Sequence, residues 1–183
     1  MVAMTAQDMS SQDKYSKNGL SQEEAKLYDI LSSVTDPEIP VLTIDEMGIL
    51  RDVTVEQDTV KVTITPTYSG CPAIDQITQD VSTVLTDNGY PNSEVALVLS
   101  PAWTTDWMSN ESKEKLRNYG IAPPCRTTDL SQSSDEHRLA FTAPCPQCRS
   151  LNTQQVSEFG STACKALWKC NECKEPFDYF KPL

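Results

Sequence analysis

Residues 49–85 read ILRDVTVEQDTVKVTITPTYSGCPAIDQITQDVSTVL, and a change of hydrophobic period inside this stretch decides the fold. From residue 49 to 55, and again from 60 to 64, apolar residues alternate with polar ones. Each segment therefore buries one face, and Gln57-Asp58 between them supplies the turn of a hairpin. After Cys71-Pro72 the apolar positions become Ile74, Ile77, Val81, Val84 and Leu85, a helical spacing closed by Asp87-Asn88-Gly89. A helix thus begins at or just after Cys71.

Upstream, Ser21 and Glu24 form a capping-box pattern ahead of Leu27, Ile30, Leu31 and Val34, which predicts a helix over residues 21–34. Asp36-Pro37-Glu38-Ile39-Pro40 ends it, because each proline lacks an amide donor and disfavours helix in the residue before it. Downstream, residues 95–99 read as a third strand stopped by Pro101, and residues 109–118 as a short charged helix ending near Gly120. This order predicts an α+β fold, a small sheet covered by helices on one face, with Leu31, Val53, Val62, Ile77, Val81 and Val98 in its core.

The chain has 183 residues, enough for one domain and a small appended module. Residues 127–137, TTDLSQSSDEH, have the polar, aperiodic composition of a linker. The expected division is a mobile tail over 1–20, the α+β domain over 21–124, a linker over 125–140 and a C-terminal zinc ribbon over 141–183. Net charge is −11, with the acidic excess in residues 1–140. Such a surface repels the phosphate backbone, so no nucleic-acid partner is expected. No apolar run approaches the roughly 20 residues needed to cross a bilayer, and the N-terminus lacks the basic start and apolar centre of a secretory signal. The expected location is the cytoplasm, and seven cysteines, four of them in C-x-x-C pairs, fit a reducing compartment better than a disulfide framework.

Cys145-Pro146-Gln147-Cys148 and Cys170-Asn171-Glu172-Cys173 are separated by 21 residues. Two such knuckles can place four sulfurs tetrahedrally about Zn(II), with strands near residues 155–159, 166–169 and 176–180. So short a segment cannot fold on apolar burial alone, and a metal supplies the missing free energy. Four protein ligands leave no open position, so the ion is structural. A redox dithiol pair or a rubredoxin-like iron site are the competing readings. Trp168, beside Cys170, is expected to shield the sulfurs.

Cys71 lies between a strand and a helix start, where unpaired amides and the helix dipole favour a thiolate. It is therefore a candidate reactive or metal-binding sulfur; the plain alternative is a half-buried cysteine packed beneath the helix. Cys164 reads as an inward-facing apolar residue or as a sulfur turned toward the first domain, and Cys125 as an exposed bystander. Trp103 and Trp107 are two indoles that could anchor a partner protein or pack beneath the sheet edge.

Asp36-Pro37-Glu38 followed by Thr67-Tyr68-Ser69-Gly70-Cys71-Pro72 resembles the metal-sulfur cluster biosynthetic family, formerly domain of unknown function fifty-nine, which is associated with iron-sulfur protein maturation. Residues 101–108 (PAWTTDWM), 119–124 (YGIAPP), 159–166 (FGSTACKA) and 176–180 (PFDYF) extend the likeness. From about residue 21 to the end, the chain resembles the family of D subunits of bacterial phenylacetyl-CoA epoxidase systems.

The resemblance implies a non-catalytic accessory factor of aerobic phenylacetate catabolism that contacts the oxygenase or its reductase and assists iron or iron-sulfur insertion. Cys71 would be a transient ligand, with Asp36, Glu38 and Thr67 around it; capping of the loop is the structural alternative for Asp36. Self-association is left open. The chain itself has one histidine, His137, no Glu-x-x-His pair and no glycine-rich dinucleotide fingerprint, so the oxygen chemistry belongs to other subunits. Two other readings stand beside this one: a permanent structural subunit bridging the components, and a thiol enzyme using Cys71 as nucleophile.

Overall fold

The computed structural model describes residues 20–124 and 143–182. The expected tail (apart from Leu20), the linker, Cys125 and His137 lie outside the described residues.

Helix α1 (Gln22–Leu31) opens with the expected capping box: the Ser21 hydroxyl accepts from the Glu24 amide at 3.2 Å, and the Glu24 carboxylate accepts from the Ser21 amide at 2.8 Å. It stops three residues before the expected end. The Ser32 and Ser33 hydroxyls donate to the Asp29 and Ile30 carbonyls, both at 2.7 Å, satisfying groups that a further turn would have used.

Strands β1 (Leu50–Glu56) and β2 (Thr59–Ile64) pair antiparallel with Val53 opposite Val62, and Gln57 in the turn has φ of 56°. Helix α2 (Ala73–Asp87) then returns the chain so that β3 (Ser93–Leu97) lies parallel to β2, giving the order β1-β2-β3. Ile77, Val81 and Leu85 of α2 share one core with Leu27 and Leu31 of α1 and Val53, Val62 and Ile64 of the hairpin. The α+β layering is as read from the sequence. Val98 is the exception: it follows β3 at the sheet edge and is only half-buried.

The segment between α1 and β1 contributes more than a loop was expected to. Ile39, Leu42, Ile44, Met47 and Ile49 are all within the core. It is pinned by the bridge between Thr35 and Thr43 and by an ion pair from Glu46 to Lys115 of α3 (Asn110–Tyr119).

Strands β5 (Thr153–Ser157), β6 (Lys165–Cys170) and β7 (Pro176–Phe180) form an antiparallel ribbon. On the other side of the expected linker, β4 (Ile121–Ala122) pairs parallel with β7, so the sheet order is β4-β7-β6-β5. The outer edge of β7 would otherwise carry unpaired amides and carbonyls, and β4 satisfies them. Phe180 and Cys164 belong to the same apolar cluster as α1, α2 and the hairpin, so the ribbon is packed into the first core. None of the described helices is long and apolar enough to cross a membrane.

Candidate functional site

Three loops converge where the ribbon meets the first sheet. The first is 36–39. Asp36 is buried, and its Oδ1 accepts from the Glu38 and Ile39 amides at 2.8 and 2.9 Å. That oxygen caps the loop, so Asp36 shapes the turn that presents Glu38.

The second loop, 65–71, leaves β2 and enters α2. The Cys71 amide donates to the Tyr68 carbonyl at 3.1 Å, and Pro72 occupies the cap position ahead of the helix. Cys71 is half-buried. The Ala73 amide and the Thr67 hydroxyl lie near its sulfur and favour the thiolate. Burial nevertheless raises the thiol above its ordinary range, and the Asp36 and Glu38 carboxylates push it further the same way. The helix start was expected to favour a thiolate; the surrounding burial and negative charge outweigh it.

The third loop comes from the ribbon, residues 160–165. The Ala163 amide lies near the Tyr68 phenol and the Thr162 hydroxyl near the Glu38 carboxylate, each favouring the charged form of its neighbour. The same hydroxyl lies 2.9 Å from the Cys164 sulfur. Cys164 is buried in the first core, which joins the two expectations for it: it packs inward and it faces the α+β domain. Burial raises its thiol, the Glu38 charge adds to that, and the Thr162 bond and Lys165 oppose it.

Lys165 is only 4% exposed, with its ammonium 4.0 Å from Asp178. Burial raises the pKa of Asp36 and of Glu38, and the nearby Lys165 charge partly offsets this in both. Sequence reasoning placed Cys71, Asp36, Glu38 and Thr67 together but missed Tyr68, Thr162 and Lys165. About ninety residues separate the two halves, and no spacing rule connects them; the only available signal was the run Ser161-Thr162-Ala163-Cys164-Lys165 itself.

Trp103 requires a correction. Its indole is buried, donates to the Met47 carbonyl at 2.9 Å and lies against Phe180 at 6.1 Å, so it cannot serve as an exposed anchor for a partner. Trp107 is half-buried, and the Arg51 guanidinium lies 3.7 Å from its ring centre. A cavity of about 170 Å³ beside Trp103 is lined by Thr65, Thr67, Tyr68, Ser69 and Leu99.

In the ribbon, the sulfurs of Cys145, Cys148, Cys170 and Cys173 lie within 4.8 Å of one another, and no other group of three or more donors among the described residues does so. The Cys145–Cys173 and Cys148–Cys170 separations are 3.7 and 3.5 Å. Four sulfurs at about 2.3 Å from one zinc would be about 3.8 Å apart, so the quartet fits a tetrahedral ion. Arg149 and Lys174, each next after a C-x-x-C pair, have φ of 63° and 68°, the left-handed geometry that folds each knuckle back. Trp168 is buried in one cluster with Cys145 and Cys170 and meets Tyr179 edge-on at 6.0 Å, consistent with shielding of the sulfurs.

Comparison with known proteins follows this division. Residues 24–98 match the family described as iron-sulfur cluster assembly protein, and residues 129–181 match the PaaD zinc beta ribbon domain. An Escherichia coli relative, named as the putative D subunit of a 1,2-phenylacetyl-CoA epoxidase, is 47% identical over 156 residues, covering 85% of this chain and 91% of that protein. An "Fe-S protein maturation auxiliary factor" of Porphyromonas gingivalis is 38% identical over 54% of this chain and 95% of its own length. A crystal structure of domain of unknown function fifty-nine from Bacillus anthracis is 38% identical, with a TM-score of 0.47 over 51% of this chain and 90% of that one.

Proposed function

The chain belongs to the family that supplies the D component of phenylacetyl-CoA epoxidase, and from that premise we propose that it is an accessory maturation factor for a multicomponent oxygenase, handling iron or an iron-sulfur cluster as cargo through Cys71. Several relatives of its first domain are named Fe-S protein maturation auxiliary factors. One observation carries the reading: a half-buried thiol at a helix start, with Thr67 and the Asp36 and Glu38 carboxylates near it. A protonated, screened thiol of this kind resists adventitious oxidation and becomes a thiolate when a metal displaces its proton.

The ribbon has a separate part. Zinc in the Cys145, Cys148, Cys170 and Cys173 quartet supplies folding free energy and no open coordination position, so its task is to hold β5–β7 and the 160–165 loop in place. The oxygenase or its reductase is the expected client, and phenylacetate catabolism the setting.

Co-expression tests the proposal. A phenylacetyl-CoA epoxidase produced with the Cys71→Ser protein should be deficient in iron and in activity, while its subunits accumulate normally. Full metal content and activity with that variant would remove Cys71 from the delivery role.

A second reading, a permanent bridging subunit, is favoured by Leu151, Val156 and Phe159, which lie more than half exposed in and around the outer ribbon strand. Size-exclusion separates the two: a bridging subunit co-elutes with the active oxygenase, whereas a maturation factor is dispensable once its client is loaded.

A further inference from the structure

The loop that runs from β2 to Cys71 also walls the cavity of about 170 Å³. Its floor is formed by Thr65, Thr67 and Trp103, all buried, and its rim by Ser69, Leu99 and Ala102, all exposed. A closed floor beneath an open rim is the form of a binding hollow, and this floor is held in place from below. The Thr65 amide donates to the Ile49 carbonyl and the Trp103 indole to the Met47 carbonyl, both at 2.9 Å.

Thr65 supplies an independent observation. Its side chain is buried, and its hydroxyl has no hydrogen-bond partner among the described residues. A buried hydroxyl left unpaired costs free energy, which a ligand able to bond it would recover. The hydroxyl and methyl of threonine are close in size, so a turn about χ1 presents the hydroxyl to the cavity with little change of shape. The indole N–H is already spent on Met47, so Trp103 offers the hollow apolar surface only.

The lining sets the class of ligand. Tyr68 is the one titratable group in it, and burial raises its phenol further above neutral pH, so the walls carry no charge. An ion entering here would lose its water and find no counter-charge, so the ligand is uncharged. A cavity of about 150 Å³ accepts benzene; this one has room for a six-membered ring with a small substituent. The indole favours an aromatic ring, through offset or edge-on contact.

We propose that this hollow binds an uncharged, phenol-sized ring, with its apolar body against Trp103 and Leu99 and its hydroxyl on Thr65. The Cys71 amide donates to the Tyr68 carbonyl at 3.1 Å, so the ring rests against the loop that positions the thiol. The site stands apart from the maturation reading, since it uses neither the ribbon zinc nor the cargo. Two sources carry this chemistry: a free phenolic molecule and a tyrosine side chain presented by a partner.

The full-length, zinc-loaded protein, labelled with nitrogen-15, is titrated with p-cresol and followed by amide and indole NMR. Saturable shifts are expected at Thr65, Thr67, Ser69, Leu99 and the Trp103 indole N–H, with a Kd of roughly 5 mM or below. Toluene, which lacks the hydroxyl, should bind roughly three- to tenfold more weakly, and the charged 4-methylbenzoate should not bind. Thr65→Val is nearly isosteric: it should leave the Tm of the free protein unchanged or raised, and p-cresol should then bind no more tightly than toluene. Absence of saturable shifts, shifts centred elsewhere, a lowered Tm for Thr65→Val or a p-cresol preference that survives it overturns the proposal. The first two need no variant, so a misfolded mutant cannot obscure them. N-acetyltyrosinamide separates the sources: binding as tight as p-cresol or tighter identifies a tyrosine carried on a chain, and weaker binding a free molecule. Saturable binding alongside undisturbed epoxidase maturation by Cys71→Ser would leave the hollow standing without the delivery role, and failed maturation with no binding would do the reverse.

Discussion

The rings of Trp103 and Phe180 lie 6.1 Å apart, tilted by 59°, and this contact joins the first domain to the last strand of the ribbon. Both side chains are buried, and the indole also holds the Met47 carbonyl at 2.9 Å. The contact fixes where β7 ends, and so where the 160–165 loop sits. Within the ribbon, the Lys181 amide donates to the Cys164 carbonyl at 2.9 Å.

Trp103→Ala should destabilise the protein by about 3–5 kcal/mol, the cost of truncating a buried aromatic. Trp103→Phe keeps the packing but leaves the Met47 carbonyl unpaired, and should cost about 1–3 kcal/mol. Urea unfolding measures both. A loss below about 1 kcal/mol for the alanine variant would mean that the joint is not packed as described.

Purified protein should contain one zinc per chain, counted by elemental analysis. Cys170→Ser, or a strong chelator, should remove it and abolish amide protection in β5–β7 while α1, α2 and the hairpin stay protected in hydrogen exchange. Iron in place of zinc, or C-x-x-C pairs recovered as disulfides, would contradict the assignment.

In metal-free protein, alkylation of Cys71 should be slow at neutral pH and rise with a midpoint above roughly pH 8.5, the ordinary thiol value. The sign follows from the cause: burial, with Asp36 and Glu38, holds the proton on. The associated stability is whole below the unfolded-state pKa and is lost as pH climbs from there through the raised folded value. Glu38→Gln removes one of those charges and should move the midpoint down. A reactivity plateau already reached below roughly pH 8 is incompatible with this environment.

A methyl group at Gly160 would sit 2.6 Å from the Asp178 carboxylate, which accepts from Ser161 at 3.0 Å and faces Lys165. Gly160→Ala should therefore cost about 1–3 kcal/mol by displacing that carboxylate. In an Asp178→Ala background the added methyl should cost much less, because the colliding group is gone; a double-mutant cycle reads the coupling. Strict additivity would show that the clash is relieved elsewhere.

Residues 49–85 held the hairpin and α2 in plain view, and Ser21 with Glu24 held the start of α1, because period and capping are local properties of a chain. The placing of Cys145, Cys148, Cys170 and Cys173 was legible for the same reason: two knuckles of fixed spacing can close on one ion wherever the rest of the chain goes. Asp36, Glu38 and Thr67 were brought to Cys71 by resemblance to a family, not by periodicity.

Tertiary structure decided the remainder. Whether Cys71 is a thiolate depends on how much protein and how many carboxylates surround it, and those come from segments 33–35 residues away. Trp103 could be read as a partner anchor or as core until Phe180 covered it, and Ile39, Leu42, Ile44 and Met47 looked like loop until the core closed over them. Above all, the meeting of Cys164 and Lys165 with the Cys71 loop is set by β4 pairing with β7 and by Phe180 entering the first core. Sequence patterns report which face of an element is apolar; they carry no record of which distant face will cover it, because burial is a property of the assembled surface and not of the segment.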